Sequence, residues 1–171
     1  MPIPGTRLCG HGSGRAFCAG ADLAELADNL SFLTPDNPEW GFAGIVHHPI
    51  DIPVIAAVNG PAFGSGTEIV LACDLAVINE DAGLGLPEVE RGLFAGAGGA
   101  FRLPDQIPQK LAAEAILTGE PILASTTLQW GLVNACVPAD QALDEAIRLA
   151  EKIAANAPLP WRQQTRDGSP P

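Results

Sequence analysis

The sequence predicts an α/β domain built on a mostly parallel sheet. Three observations carry that expectation: two short unbroken apolar runs, PVIAAV at 53–58 and LAVI at 75–78, helical apolar spacing between and after them, and glycine-rich turns where the runs end. An unbroken apolar run of about four to eight residues fits a strand covered on both faces, because a strand with one wet face alternates. Strands that alternate with helices are joined by crossovers, which makes their pairing parallel. Ligands of such sheets sit beyond the carboxyl ends of the strands, where these glycine turns fall.

The elements follow in order. Residues 1–14 hold prolines and glycines without periodicity and are expected to be irregular, with a core domain over 15–158 and a patternless tail over 159–171. Residues 22–33 predict a helix with Leu23, Leu26, Leu30 and Leu33 on one face and Asp22 at its start. The spacing over 42–48 predicts a further helix, with His47 and His48 at its end, leading into the strand at 53–58. NGPAFGSG at 59–66 is a turn that launches a helix over 67–72, and the strand at 75–78 is followed by an extended piece at 84–86 that stops at Pro87. Helices are predicted at 109–117, closed by Gly119, at 126–130, stopped by Gly131, and at 141–155, with Leu143, Ile147, Ala150 and Ile153 inward; a strand is predicted at 132–137. No internal repeat and no interior linker is evident.

Composition narrows the function. At 171 residues, 47% apolar and 17% charged, the chain suits one packed domain that buries about two thirds of its unfolded surface. No apolar run reaches the roughly 18 residues of a membrane helix, and a net charge of −11 repels nucleic-acid phosphates. Neither a membrane nor a nucleic acid is an expected partner, and a phosphorylated ligand would have to be held locally, by helix starts or by Arg7 or Arg15. The four cysteines, Cys9, Cys18, Cys73 and Cys136, form no CxxC pair, which points to small buried apolar side chains rather than a metal or redox site. MPIPGTRLCGHG carries no apolar leader, so a reducing, cytoplasmic setting is expected.

Three glycine-rich segments stand out: Ala19-Gly20-Ala21-Asp22, Gly64-Ser65-Gly66 and Gly96-Ala97-Gly98-Gly99. Glycine permits tight turns and close backbone approach, so N–H groups at helix starts can face a developing negative oxygen. Alone, each segment is more readily a simple turn than a binding element. Glu68 and Glu88 each follow a turn; singly, Glu68 fits a helix-dipole acid and Glu88 a solvated loop acid, and only convergence on one pocket would make them chemical.

The ordered combination resembles a known family. RAFCAGADL at 15–23, PVIAAVNGPAFGSGTEIVLACDL at 53–75, LPEVERGLFAGAGGAFRLP at 86–104 and LTGEPILASTTLQWGLVNACVP further on are similar to the enoyl-CoA hydratase/isomerase, or crotonase, family. The resemblance implies a crotonase-like (ClpP/crotonase) spiral of ββα units, here incomplete, because family members open with further strands and close with C-terminal trimerisation helices. It places one oxyanion N–H at Ala21 and the other at Ser65, where the family usually has glycine. A serine there costs roughly 1 to 2 kcal/mol if the turn needs a positive φ. Ala19 matches a position beside the adenine of coenzyme A and Gly96 one beside the acyl group; Gly20, Asp22 and Gly64 join the implied substrate-binding set, with Asp22 and Asp74 structural. Ala24 stands where a lysine often contacts the cofactor.

Glu68 and Glu88 match the family's two catalytic glutamates. Hydration of a conjugated thioester needs an oriented, deprotonated water at Cβ, a proton delivered to Cα, and stabilisation of the thioester oxygen. The resemblance thus implies Glu68 for the water and Glu88 for the proton, with Ala21 and Ser65 on the enolate. Coenzyme A is part of the substrate, no separate cofactor or metal is implied, and the family assembles as homotrimers or hexamers. Retention of both carboxylates favours hydration of an enoyl-CoA in fatty-acid or related acyl-CoA breakdown over double-bond isomerisation. The missing ends leave a non-catalytic remnant as a reading of another class.

Overall fold

The two apolar runs become the centre of a parallel sheet. The computed structural model describes residues 7–22, 36–138 and 140–156. Strand β2 (Val54–Val58) pairs in parallel with β4 (Leu75–Asn79), and β1 (Arg7–Cys9) and β7 (Ala135–Val137) complete a four-stranded parallel sheet in the order β1-β2-β4-β7. Side chains of successive strand residues point to opposite faces. Val54, Ala56, Val58, Ala76 and Ile78 therefore enter the larger core cluster, while Ile55, Ala57 and Val77 face the other side. Both faces are covered, which is why neither run alternates.

A second sheet, unforeseen in the sequence, lies across the end of the first. It has the order β3-β5-β6, with β3 (Ala62–Phe63) parallel to β5 (Gly83–Gly85) and β5 antiparallel to β6 (Ile122–Leu123). Helix α1 (Ser65–Ala72) follows β3, and α2 (Gly99–Gln106) follows β5 through a 3-10 turn at Pro87–Arg91. Two ββα units, β2-β3-α1 and β4-β5-α2, thus succeed one another. Helices α3 (Gln109–Thr118), closed by Gly119 with φ 74, α4 (Ala124–Gln129) and α5 (Ala142–Ala154) complete the described elements.

Helix α5 covers the second face of the sheet. Its fully buried stripe is Ala142, Ala146 and Ala150, with Leu143, Leu149 and Ile153 packed alongside, so Ile147 is not the inward anchor that the spacing suggested. Small residues at i, i+4 and i+8 let the helix axis approach the strands closely. Two polar devices fix where strands begin. Asp74 accepts the Val54 N–H at 2.7 Å and returns its own N–H to the Val54 carbonyl, the structural role expected of it. Asn134 makes the same reciprocal pair with Ala76.

Two expectations are corrected. Residues 1–14 are not wholly irregular: Arg7, Leu8 and Cys9 pair with Val54, Ile55 and Ala56, a strand defined by its partner and not by any local pattern. Residues 42–48 form a succession of turns and not a helix, because Ala43 (φ 54) and Gly44 (φ 67) are left-handed and break the helical ladder. His47 and His48 therefore end no helix; His48 stacks on Trp40 with ring centroids 3.9 Å apart. The helix predicted at 22–33 lies, from residue 23 on, outside the described residues, as does the tail from 157. Of the cysteines, Cys18, Cys73 and Cys136 are partly buried, and the Cys73 thiol donates to the Ile69 carbonyl at 3.2 Å. No helix among the described residues is long and apolar enough to cross a membrane.

The segment 12–20 runs along the turn that follows β2. Phe17 donates to the Pro61 carbonyl, Phe63 donates to the Cys18 carbonyl, and Cys18 bridges Ala62 in parallel. The Asn59 side chain grips the start of the segment, accepting from Gly12 N–H at 2.7 Å and donating to the carbonyls of Gly12 and Gly14. This contact exists only because the facing residues lack side chains. A Cβ on Gly60 would fall 2.1 Å from the Arg15 carbonyl oxygen and one on Gly66 2.2 Å from that of Cys18. Gly66→Ala, which in a free helix would gain up to about 1 kcal/mol, should instead lower the thermal midpoint by about 3–10 °C through overpacking of 1–3 kcal/mol. A calorimetric scan showing a raised midpoint would contradict this close approach.

Candidate active site

The contact between the 12–20 segment and α1 places the first two glycine turns side by side. Gly20 (φ 99) passes so close that a Cβ there would sit 3.1 Å from the Phe63 carbonyl oxygen and 3.4 Å from the Ser65 nitrogen. Ser65 opens α1, so its N–H has no carbonyl one turn earlier in the helix to receive it. The left-handed residue in this turn is Gly64, with φ 56, and Ser65 is already helical. The backbone strain expected of a serine at this position is therefore absent.

Glu68 stands in the first turn of α1 and is 1% exposed. Its Oε1 accepts the N–H of Gly99, the first residue of α2, at 2.9 Å. The N-terminal ends of two helices thus point their positive dipole ends towards one buried carboxylate. The third glycine stretch thus ends in an N–H that orients Glu68. Glycine at 99 gives this approach room, since a Cβ would crowd Ala95 Cβ at 2.9 Å, Leu86 Cδ2 at 3.0 Å and Glu68 Cγ at 3.1 Å.

Thr67, fully buried and not singled out by the sequence, locks the neighbouring unit in register. Its hydroxyl accepts the Gly85 N–H at 2.9 Å and lies within donor distance of the Ala62 and Gly85 carbonyls, at 2.7 and 2.8 Å. Helix α1 is thereby tied to the strand that leads through Leu86 and Pro87 to Glu88. Its only sequence signal is a hydroxyl beside an acid in a helix's first turn.

Glu88 sits in a different environment. It is half-buried at the start of the 3-10 turn, its Oε1 lies 3.3 Å from where a Gly64 Cβ would be, and its Oε2 is buried with no hydrogen-bond partner. Burial raises its pKa above the ordinary glutamate value; the charge of Glu68 raises it further, while a backbone hydrogen bond and Arg91 oppose the rise. One carboxylate is anchored and the other holds a bare oxygen.

Both open on one cavity of about 1090 Å³. Its walls include Ala19, Gly20, Ala21, Gly64, Ser65 and Gly96, so these sequence-nominated residues are brought together with the two glutamates. Asp22 is exposed and does not line it. Residues that the sequence did not nominate also face it, among them Phe42, His47, Phe63 and Phe94. Arg15, considered as a phosphate holder, borders a separate cavity of about 320 Å³ with His11, Asn59 and Asp140. The side chain of Arg7 lies outside the described residues.

Successive ββα units, with one carboxylate on the helix of the first and another on the turn after the strands of the second, define the crotonase fold class. The family model for enoyl-CoA hydratase/isomerase matches residues 8–167, and the chain belongs to that family. It is 44% identical over 148 residues to a mevalonyl-coenzyme A hydratase of Aspergillus fumigatus, covering 86% of this chain and 55% of that protein. A carnitinyl-CoA dehydratase structure from Mycobacterium avium is 53% identical with a TM-score of 0.88, over 90% of this chain and 60% of that one. An enoyl-CoA hydratase structure from Mycobacterium tuberculosis is 44% identical with a TM-score of 0.84, over the same shares. The chain thus spans a little over half the length of the relatives it matches.

The raised pKa of Glu88 fixes the sign of a stability effect. Below the ordinary glutamate value both folded and unfolded chains carry the proton and the group costs nothing; as pH rises through the folded value, the native state must hold a poorly solvated charge, and stability falls. Glu88→Gln removes that term. Its thermal midpoint relative to wild type should rise from pH 4 to pH 7, and a difference independent of pH would contradict the environment assigned to Glu88.

Proposed function

We propose that the chain carries the acid–base centre of an enoyl-CoA hydratase, adding water across the 2,3 double bond of an acyl thioester. One observation carries the proposal: two glutamates in contrasting environments converge on a cavity whose wall also holds the Ala21 and Ser65 turns. Pairs of carboxylates whose surroundings push their proton affinities apart divide acid and base roles.

In this reading Glu68, held by Gly99, positions the water and accepts its proton as the oxygen bonds to Cβ. The π electrons of the double bond move toward Cα and the thioester carbonyl, whose oxygen gains charge against the N–H groups of Ala21 and Ser65. Glu88, whose proton affinity is raised, protonates Cα, and the enolate collapses to the 3-hydroxyacyl thioester. Dehydration is the same path reversed, consistent with relatives named both hydratase and dehydratase. The substrate class is an acyl-CoA thioester, with coenzyme A as its carrier and no separate cofactor.

Self-association, as a trimer or hexamer, belongs to the same proposal. It is supported by the exposed large apolar side chains Phe101, Leu117 and Leu123, which lie outside the cavity and which an interface would cover. The free thiols of Cys18 and Cys136 are consistent with a reducing cytoplasm.

The purified chain should consume an enoyl-CoA, seen as loss of the conjugated thioester's ultraviolet absorbance, with a product heavier by one water. Glu68→Gln and Glu88→Gln should each lower kcat by about 10²–10⁴-fold. A product of unchanged mass would favour double-bond isomerisation. No turnover at high enzyme concentration would contradict the proposal and favour a non-catalytic role.

A further inference from the structure

Arg102, on the second turn of α2, joins two walls of the cavity. Its Nη1 donates to the Ala97 carbonyl at 3.2 Å and its Nη2 to the Val46 carbonyl. The guanidinium lies directly over Gly98: a Cβ there would fall 1.8 Å from Nη1, and the backbone at Gly98 is left-handed, with φ 118. Gly98 is therefore kept bare for the arginine as well as for the turn.

The two carbonyls belong to different walls. Val46 is buried and sits in the turn segment that carries Gly41, Phe42 and His47 to the cavity, whereas Ala97 lies in the glycine turn that carries Gly96. That turn also ends in the Gly99 N–H that holds Glu68. The 41–48 segment is a run of short turn hydrogen bonds with the left-handed Ala43 and Gly44, it packs Ile45 against the core, and its backbone is tied to α2 through the Val46 carbonyl. Helix α2 is in turn fixed to α1, through Gln106 Nε2 donating to the Leu71 carbonyl at 2.9 Å.

We propose that Arg102 is a positioning residue that sets the width of the acyl pocket, by strapping the 41–48 wall to the glycine turn that orients Glu68. The inference rests on the acyl-thioester reading of this cavity. A planar guanidinium presents two separated Nη groups and spans both carbonyls at once; a lysine ammonium on a flexible stem reaches one. The strap fixes both how far the Phe42 and His47 wall stands from Gly96 and Ala97, and hence which acyl groups fit between them.

The test uses the 171-residue chain with Arg102→Met and Arg102→Lys, read by amide hydrogen exchange and by calorimetric binding of two saturated thioesters, butyryl-CoA and decanoyl-CoA. In Arg102→Met, exchange at residues 44–48 should accelerate about tenfold or more, the factor that loss of a charge-assisted hydrogen bond implies, with β2 and β4 unchanged. The ratio of affinities should shift at least about fivefold toward the longer chain, by relaxed steric selection. Arg102→Lys should lie between, and it carries the same readouts should the methionine variant fail to fold. Unchanged exchange at 44–48 overturns the strap whatever the ligand data show. Faster exchange with an unchanged affinity ratio overturns the specificity role. A wild-type chain that binds neither thioester contradicts the acyl-thioester reading, and the pocket-width role with it, while exchange still decides whether the strap exists.

Discussion

The site depends on one close backbone contact: the 15–20 segment laid against the turn and first residues of α1. Gly60 and Gly66 permit it, by leaving the carbonyls of Arg15 and Cys18 room that a methyl group would fill. The hydrogen bonds from Phe17 to Pro61 and from Phe63 to Cys18 then hold the two segments in register. With that contact in place, Ala21, Ser65 and Glu68 line one cavity. Moving either segment by the width of a side chain would separate them.

The carboxylates inherit their differences from the same frame. Glu68 is buried in α1 but faces the start of a second helix, so its charge meets backbone dipoles and a hydrogen bond. Glu88 comes two strands later, on a 3-10 turn between β5 and α2, where desolvation without a partner for Oε2 raises its proton affinity. Thr67 couples the two environments, because its hydroxyl fixes α1 to the strand that delivers Glu88. A carboxylate that is held and a carboxylate oxygen that is left bare follow from neighbouring positions in one repeated ββα pattern.

Much of this was legible in the sequence, for identifiable reasons. Strands covered on both faces leave unbroken apolar runs, so 54–58 and 75–78 declared themselves; glycine turns and the ordered family motifs marked the cavity residues. What escaped depends on tertiary partners. The strand at 7–9 has no pattern of its own and exists by pairing with Val54, Ile55 and Ala56. The 42–48 stretch has helical spacing, yet left-handed Ala43 and Gly44 turn it into a wall that Arg102 ties down. The second sheet is made of strands of two or three residues, too short to show a period. That the Gly99 N–H serves the Glu68 side chain is likewise set by tertiary placement, which only the position of Glu68 reveals.

The central claim is that the abutting Ala21 and Ser65 turns polarise a thioester carbonyl placed between them. Infrared difference spectroscopy of a saturated acyl-CoA, labelled with carbon-13 at the thioester carbonyl and bound to the chain, reads that polarisation directly. The account requires the bound carbonyl stretch to fall to lower frequency than in solution, and Gly66→Ala, which disturbs the backbone contact without touching either glutamate, to move it back toward the solution value. A bound carbonyl at its solution frequency, or a shift that survives Gly66→Ala unchanged, would contradict it.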